Sequence, residues 1–186
     1  MQPDSAIERS TSNLEQAPRV TAVPGTRLSA ESLIGVRLHV LVDHAAASID
    51  GASMAGLSVD LPAAGGDDTK SVLVAADEGV WALHAVEIAD GDGPGLTARR
   101  TGEVIRISST ADDGPWEMFR EACRSAGIMS TASFAVTVGG QRVGVLNVYS
   151  DDYHAFDVDA IRAGRQIARE IAAAIETDQT TAGVTR

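Results

Sequence analysis

Hydrophobic spacing along the chain begins late. Residues 1–26 scatter Pro, Ser and Gln among charges without any apolar period, which predicts a disordered or loosely docked tail. From about Ala30 to Ile49 the pattern becomes helical, with Ser29 able to cap the start and Gly51 just beyond the end. At about 3.6 residues per turn, Ile34, Leu38, Leu41, Val42, Ala45 and Ile49 share one stripe. Leu33, Val36, Val40 and Ala47 form a second stripe, and a helix with two apolar stripes asks for two partners. Short alternating runs follow, at Ala52–Val59, Ser71–Ala75 and Val104–Ser108, which predict half-buried strands. The Pro, Gly and Asp content of LPAAGGDDTK marks a loop between the first two.

A helix is expected from Asp113-Gly-Pro-Trp to Gly127, with Pro115 in its first turn and Trp116, Phe119, Cys123 and Ala126 on one face. Thr131–Val138 alternates again, Gly139-Gly140 is a two-residue hairpin turn, and Gln141–Tyr149 is the return strand. The last helix starts at Asp157, where Phe156 can staple onto Ile161. Ile161, Gly164, Ala168, Ile171 and Ile175 then trace the seam of a helix that pairs with another helix, and at only about two heptads it needs support from the body of the domain or from a second chain. Residues 177–186, rich in Thr, read as a flexible tail, which leaves one domain over 27–176. The order helix, strands, short helices, hairpin, helix predicts an α+β fold whose sheet is covered by helices from both chain ends, and excludes a doubly wound one.

Charge narrows the partners. With 15 Lys+Arg against 26 Asp+Glu and a pI near 4.6, the surface repels phosphate backbones and anionic lipid, so neither nucleic acid nor membrane is expected to bind directly. Cys123 is the single cysteine, which excludes an intrachain disulfide and a thiolate-rich metal site. With no signal-peptide core and no run of about 18 apolar residues, the expected location is the cytoplasm.

The stretch DGDGPGLTARRTGEV raises the question of a nucleotide-binding loop. A dinucleotide fingerprint needs a long helix after its glycines, but Gly102 and Glu103 stop this one after about two turns. Asp90 and Asp92 also stand where a pyrophosphate would bring its charge. A structural turn is the expectation, with a small ligand at the helix N-terminus as the alternative. His39 and Asp43, with His44 adjacent, lack the further ligands a metal requires and read as a surface pair; no metal or other cofactor is implied. Cys123, on an apolar face, reads as a small hydrophobe. No hydrolase elbow, P-loop or zinc-protease motif is present, so no catalytic residue and no enzyme is expected. Trp81, Trp116 and Phe119 are candidates for pocket walls in a chain with only 4% aromatics, with Ser133 or Asn147 as polar contacts; core packing is the alternative.

Several stretches together resemble a known family. GPGLTARRTGEVIRI, PWEMFREACRSAGIMS, TVGGQRVGVLNVYS and HAFDVDAIRAGRQIAREIAAAI, in this order and spacing, are similar to GAF domains of actinobacterial regulators, especially those that precede an RNA-binding ANTAR output domain. The resemblance implies a GAF/PAS-like central antiparallel sheet of five or six strands, N- and C-terminal helices on one face, and short helices and loops over a ligand cavity on the other. It places Ile105 and Met129 with Trp81, Trp116, Phe119, Ser133 and Asn147 as pocket candidates. It also implies a homodimer through the terminal helices, with Leu33, Val36, Val40, Ile161, Ala168, Ile171 and Ile175 as interface candidates. Relatives often carry Cys where this chain has Gly95, and the cyclic-nucleotide signature Asn-Lys-Phe-Asp-Glu is missing. With only polar residues after the last helix, the expectation is a stand-alone sensor that binds a small molecule and acts on an unidentified output protein. A ligand-free dimeric scaffold or regulatory subunit is the alternative.

Overall fold

Each strand of the sheet has one face toward a pair of long helices and one toward three shorter ones, and alternation along the strands decides which residue meets which. The computed structural model describes residues 26–27, 32–62, 69–75 and 77–184. The predicted tail lies outside these residues apart from Thr26, and so does Ser29.

In chain order the elements are β1 (Thr26–Arg27), α1 (Leu33–Ser48), β2 (Met54–Pro62), β3 (Thr69–Ala75), α2 (Glu78–Asp90), α3 (Pro94–Thr101), β4 (Ile105–Ile107), α4 (Glu117–Ser125), β5 (Ser130–Val138), β6 (Gln141–Ser150) and α5 (Val158–Val184). The sheet order is β1-β3-β2-β6-β5-β4. All pairings are antiparallel except that of the two-residue β1 with β3. Gly139 and Gly140, with φ of 56° and 81°, make the β5–β6 turn in a conformation that side chains resist.

On one face α1 and α5 cover the main core. Leu38, Val42, Ala45 and Ile49 of α1 meet Leu57, Val59, Phe134, Leu146 and Val148 of the sheet, all at most 2% exposed. Ser32, one residue before α1, accepts the Gly35 N–H at 3.0 Å and so caps the helix in place of the expected Ser29. Asp157 caps α5 as expected, its Oδ1 accepting the N–H groups of Asp159 and Ala160 at 2.9 Å each.

Four expectations are corrected. Residues 177–184 continue α5 instead of forming a tail, carried on a helix that packing has already nucleated, with Thr177, Thr180 and Thr181 donating their hydroxyls to the carbonyls four residues back. The helix expected from Asp113 starts at Glu117. Arg120 is spent on the carbonyls of Ser109, Asp112 and Pro115, which holds the preceding segment as a loop. Glu78–Asp90, to which no helix was assigned, forms α2, capped by Asp77 through the Gly79 N–H. Finally, Ala168, Ile171 and Ile175 face the chain's own core at 4%, 0% and 1% exposure, with Ile161 half-buried against it. The small residue Gly164 lets α5 settle on Phe134, which a Cβ there would overlap. The seam on α5 therefore belongs to this domain's interior and offers no free surface to a partner chain. Leu33, Val36 and Val40 of α1 point outward instead, at 84%, 45% and 60% exposure.

Candidate ligand site on the distal face of the sheet

The face away from α1 and α5 carries polar side chains where a sealed core would carry apolar ones. Register places Gly56, Asn147, Ser133 and Ile105 in one row across β2, β6, β5 and β4. Met54, Tyr149, Thr131 and Ile107 form the next row. Asn147 and Tyr149 thus stand beside Ser133 and Thr131 as cross-strand neighbours, all four buried. Gly56 leaves room for Val80, so α2 lies close above β2 and turns Val80, Leu83, His84 and Glu87 inward. Phe119 and Cys123 of α4, with Trp116 just before it, close the cluster over Tyr149.

Glu87 is the centre of this arrangement. Only 1% exposed, it reaches the first turn of α3 and accepts the Gly95 N–H at 2.7 Å, with the Leu96 amide also donating. A Cβ on Gly93 would stand 2.8 Å from the Glu87 carboxyl carbon. One on Gly95 would stand 2.9 Å from Oε2 and 3.0 Å from both amide atoms of Asn147. The Gly-Pro-Gly stretch therefore does cradle an anion, and the anion is the chain's own carboxylate.

Asp92 binds the same turn from outside. It accepts the Gly93 N–H at 2.9 Å and the Thr97 hydroxyl at 3.1 Å, and the Trp116 indole donates to it as well. Trp116 itself sits at φ 63°, a left-handed backbone that a large side chain rarely adopts, and it links the start of α4 to the start of α3.

Burial sets the protonation of the site. It pushes the Glu87 carboxyl up to about 7, with the Gly95 and Leu96 amides pulling the other way and Asp92 adding to the rise. Asp92 is lowered, chiefly by the Gly93 amide. His84 is lowered by burial, and Tyr149 is held well above its ordinary value, again mainly by burial. The Cys123 thiol is pushed up to about 12, first by burial and then by Glu87, which makes it a poor nucleophile. Among the described residues, three buried polar atoms have no hydrogen-bond partner, His84 Nδ1, Thr131 Oγ1 and Asn147 Oδ1, while the Asn147 side chain hydrogen-bonds the Tyr149 hydroxyl.

Among the sequence-derived candidates, Ser133, Asn147 and Ile105 share one row, and Phe119 and Trp116 belong to the apolar cluster at its end. Trp81 and Met129 are half-buried outside that cluster. At Gly93 and Gly95 the side chains of Glu87 and Asn147 fill the space. Two clefts lie away from this face: an open groove of about 540 Å³ between α3 and the hairpin turn, and one of about 230 Å³ between α5 and β5. His39 bonds the Gly35 carbonyl at 2.8 Å and not Asp43. Sequence reasoning missed Glu87, His84, Thr131 and Tyr149. The available signal was the spacing Val80, Leu83, His84, Glu87, an inward helical stripe that ends in a carboxylate.

The sheet order and the helix placement can be set against known proteins. A family model described as GAF domain matches residues 38–176. The chain belongs to the GAF family. Among solved structures, this GAF domain is similar to a domain of a two-component sensor histidine kinase protein from Sinorhizobium meliloti 1021. The TM-score is 0.59 at 16% identity, covering 83% of this chain and 99% of that one. GAF3 from Slr1393 of Synechocystis sp. PCC6803, in its photoproduct state, gives 0.59 at 16% identity over 82% and 99%. A type II free methionine-R-sulfoxide reductase from Thermoplasma acidophilum gives 0.53 at 12% identity over 81% and 96%. At these identities the likeness is one of fold. Comparison with curated protein sequences gives no match. Among the described residues, no helix is long and apolar enough to cross a membrane.

Proposed function

We propose that this GAF domain is a non-catalytic sensory module of the cytoplasm, which takes a small molecule against the polar distal face and signals through protein contacts of α1. The observation that carries the reading is the set of three unpartnered polar atoms between α2 and the distal face of the sheet, on His84, Thr131 and Asn147. Each such atom costs about 1–3 kcal/mol in a sealed interior, and a ligand with its own donors and acceptors removes that cost. The order of motifs along the chain supports kinship with the GAF domains of actinobacterial GAF–ANTAR regulators. Sensor kinases among the structural neighbours favour a signalling role over the chemistry of the reductase. The single thiol, buried and poorly ionised, favours it too.

A ligand-free dimeric scaffold draws on a different observation, the side chains that already fill the space under α2 and α3. Native mass spectrometry of freshly purified protein separates the two readings. The sensor is expected to retain a small molecule that an Asn147→Leu variant loses. Protein of bare mass, combined with an Asn147→Leu variant at least as stable as the parent, decides for the scaffold.

A further inference from the structure

Glu87 takes a carboxylate into the interior without a cationic partner from the chain. Its donors are the amides of Gly95 and Leu96, which carry only the partial charge of a helix end. The nearby cations are engaged elsewhere. Arg120 is bound by the carbonyls of Ser109, Asp112 and Pro115, Arg124 faces Glu117 and Glu121, Arg99 pairs with Asp60, and Arg100 with Asp92. Without a cation the buried carboxyl keeps its proton up to about neutrality, and a positive group beside it would stabilise the ionised form instead.

We propose that the ligand carries a positively charged N–H donor group, of the amine, amidine or guanidine class, for which Glu87 is the counter-ion and Asn147 Oδ1 a second acceptor. This rests on the reading of the distal face as a ligand site. The three unpartnered atoms can all accept an N–H, and the rings of Tyr149, Phe119 and Trp116 in the adjoining cluster suit a cation. An anionic ligand is disfavoured, because Glu87 and Asp92 already occupy the first turn of α3 from both sides. A ligand of this kind requires α3, a helix of only two turns, to move outward from the sheet.

A proton competes with such a ligand for Glu87. The groups facing the carboxylate are His84 on α2, Asp92 between α2 and α3, Arg120 and Cys123 on α4, and Tyr149 on β6. Burial lowers His84 and raises Cys123 and Tyr149, and the Gly93 amide lowers Asp92, which leaves Glu87 to govern binding just above neutrality.

The test uses the full chain and three probes of one shape: benzamidine (cation), benzamide (neutral) and benzoate (anion), followed by thermal shift and tryptophan fluorescence. At pH about 8, benzamidine is expected to bind about tenfold more tightly than benzamide, with no response to benzoate. Its affinity should fall as pH drops through neutrality, and Glu87→Gln should erase its advantage over benzamide. If that variant does not fold, the pH profile of the parent decides. Benzoate binding as tightly as benzamidine, an advantage that survives Glu87→Gln, a flat pH profile, or no binding of any probe at millimolar concentration overturns the proposal. Equal binding of benzamide and benzamidine overturns the charge assignment and leaves the ligand site standing; loss of the site itself is read from the mass spectrum.

Discussion

Glu87 reaches the amides of α3 because Gly93 and Gly95 have no side chains to block it, and this dependence is open to a direct measurement. In Gly95→Ala the new methyl meets Oε2 of Glu87 at 2.9 Å and the Asn147 amide at 3.0 Å, with backbone behind both, so a loss of roughly 1–3 kcal/mol is expected in urea unfolding. An unchanged midpoint would mean that Glu87 is not wedged there. Protonation gives a second measurement. The Glu87 carboxyl is raised from 4.5 to about 7, so the folded state holds a proton that the unfolded chain has released. The stability this contributes, roughly 3 kcal/mol in all, is complete below pH about 4.5 and is lost as pH rises through 7. His84 runs the other way: lowered from 6.5, it contributes stability that is lost as pH falls below that value. Between pH 6.5 and about 8 the two partly cancel, Glu87 losing roughly 1 kcal/mol while His84 gains roughly half as much, so the net fall in unfolding free energy is a fraction of 1 kcal/mol. Glu87→Gln should remove that drop, and an equal slope in both proteins refutes the assignment. Asn147 and Ser133 stand out in the sequence as polar residues on strands of the hairpin, and the register sets them side by side. Glu87 does not stand out, since a carboxylate on a helix is ordinarily a solvated residue and only tertiary contact with α3 pulls it inside.

At the scale of elements, periodicity located α1, the hairpin and α5, where the apolar spacing is long and the caps are chemically explicit. It failed at α2, whose inward stripe mixes His84 and Glu87 with Val80 and Leu83 and so lacks an apolar signature. It failed again at 177–184, where threonines of poor helical propensity are carried on the end of a helix already nucleated by packing. The seam on α5 is correctly spaced, and of the two supports it allows, the body of the domain and a second chain, the body of the domain covers it here. A stripe of Ile, Gly and Ala fits a sheet as well as a second helix, and Phe134 under Gly164 shows which it meets here. Two substitutions separate the surfaces of α1 and α5. Ile171→Glu puts a charge into a position with no solvent contact and should cost more than about 4 kcal/mol, enough to abolish a cooperative melt. Val40→Glu, at 60% exposure, should shift stability by no more than about 0.5 kcal/mol. A stable Ile171→Glu protein would return α5 to the list of candidate interfaces.

For the whole molecule, the sheet joins the two faces, because Asn147 and Tyr149 on the distal side alternate along β6 with Leu146 and Val148 under the terminal helices. A ligand that shifted β6 would therefore be felt beneath α1, whose outer stripe of Leu33, Val36 and Val40 is an apolar surface open to a partner. We expect that partner to include a second copy of the chain, and net charge makes the expectation specific. Each copy carries −11, so association works against long-range repulsion that salt screens beyond a Debye length of about 8 Å at physiological ionic strength. Apolar contact between α1 stripes should then tighten as salt is added, whereas a dimer held by ion pairs would loosen. Sedimentation velocity across a salt series is expected to show dimer gained at higher salt, and Val40→Glu is expected to remain monomeric throughout with an unchanged melt. Dimers that persist in Val40→Glu, or that dissociate on adding salt, would place the contact on another surface and leave the α1 stripe for a different protein.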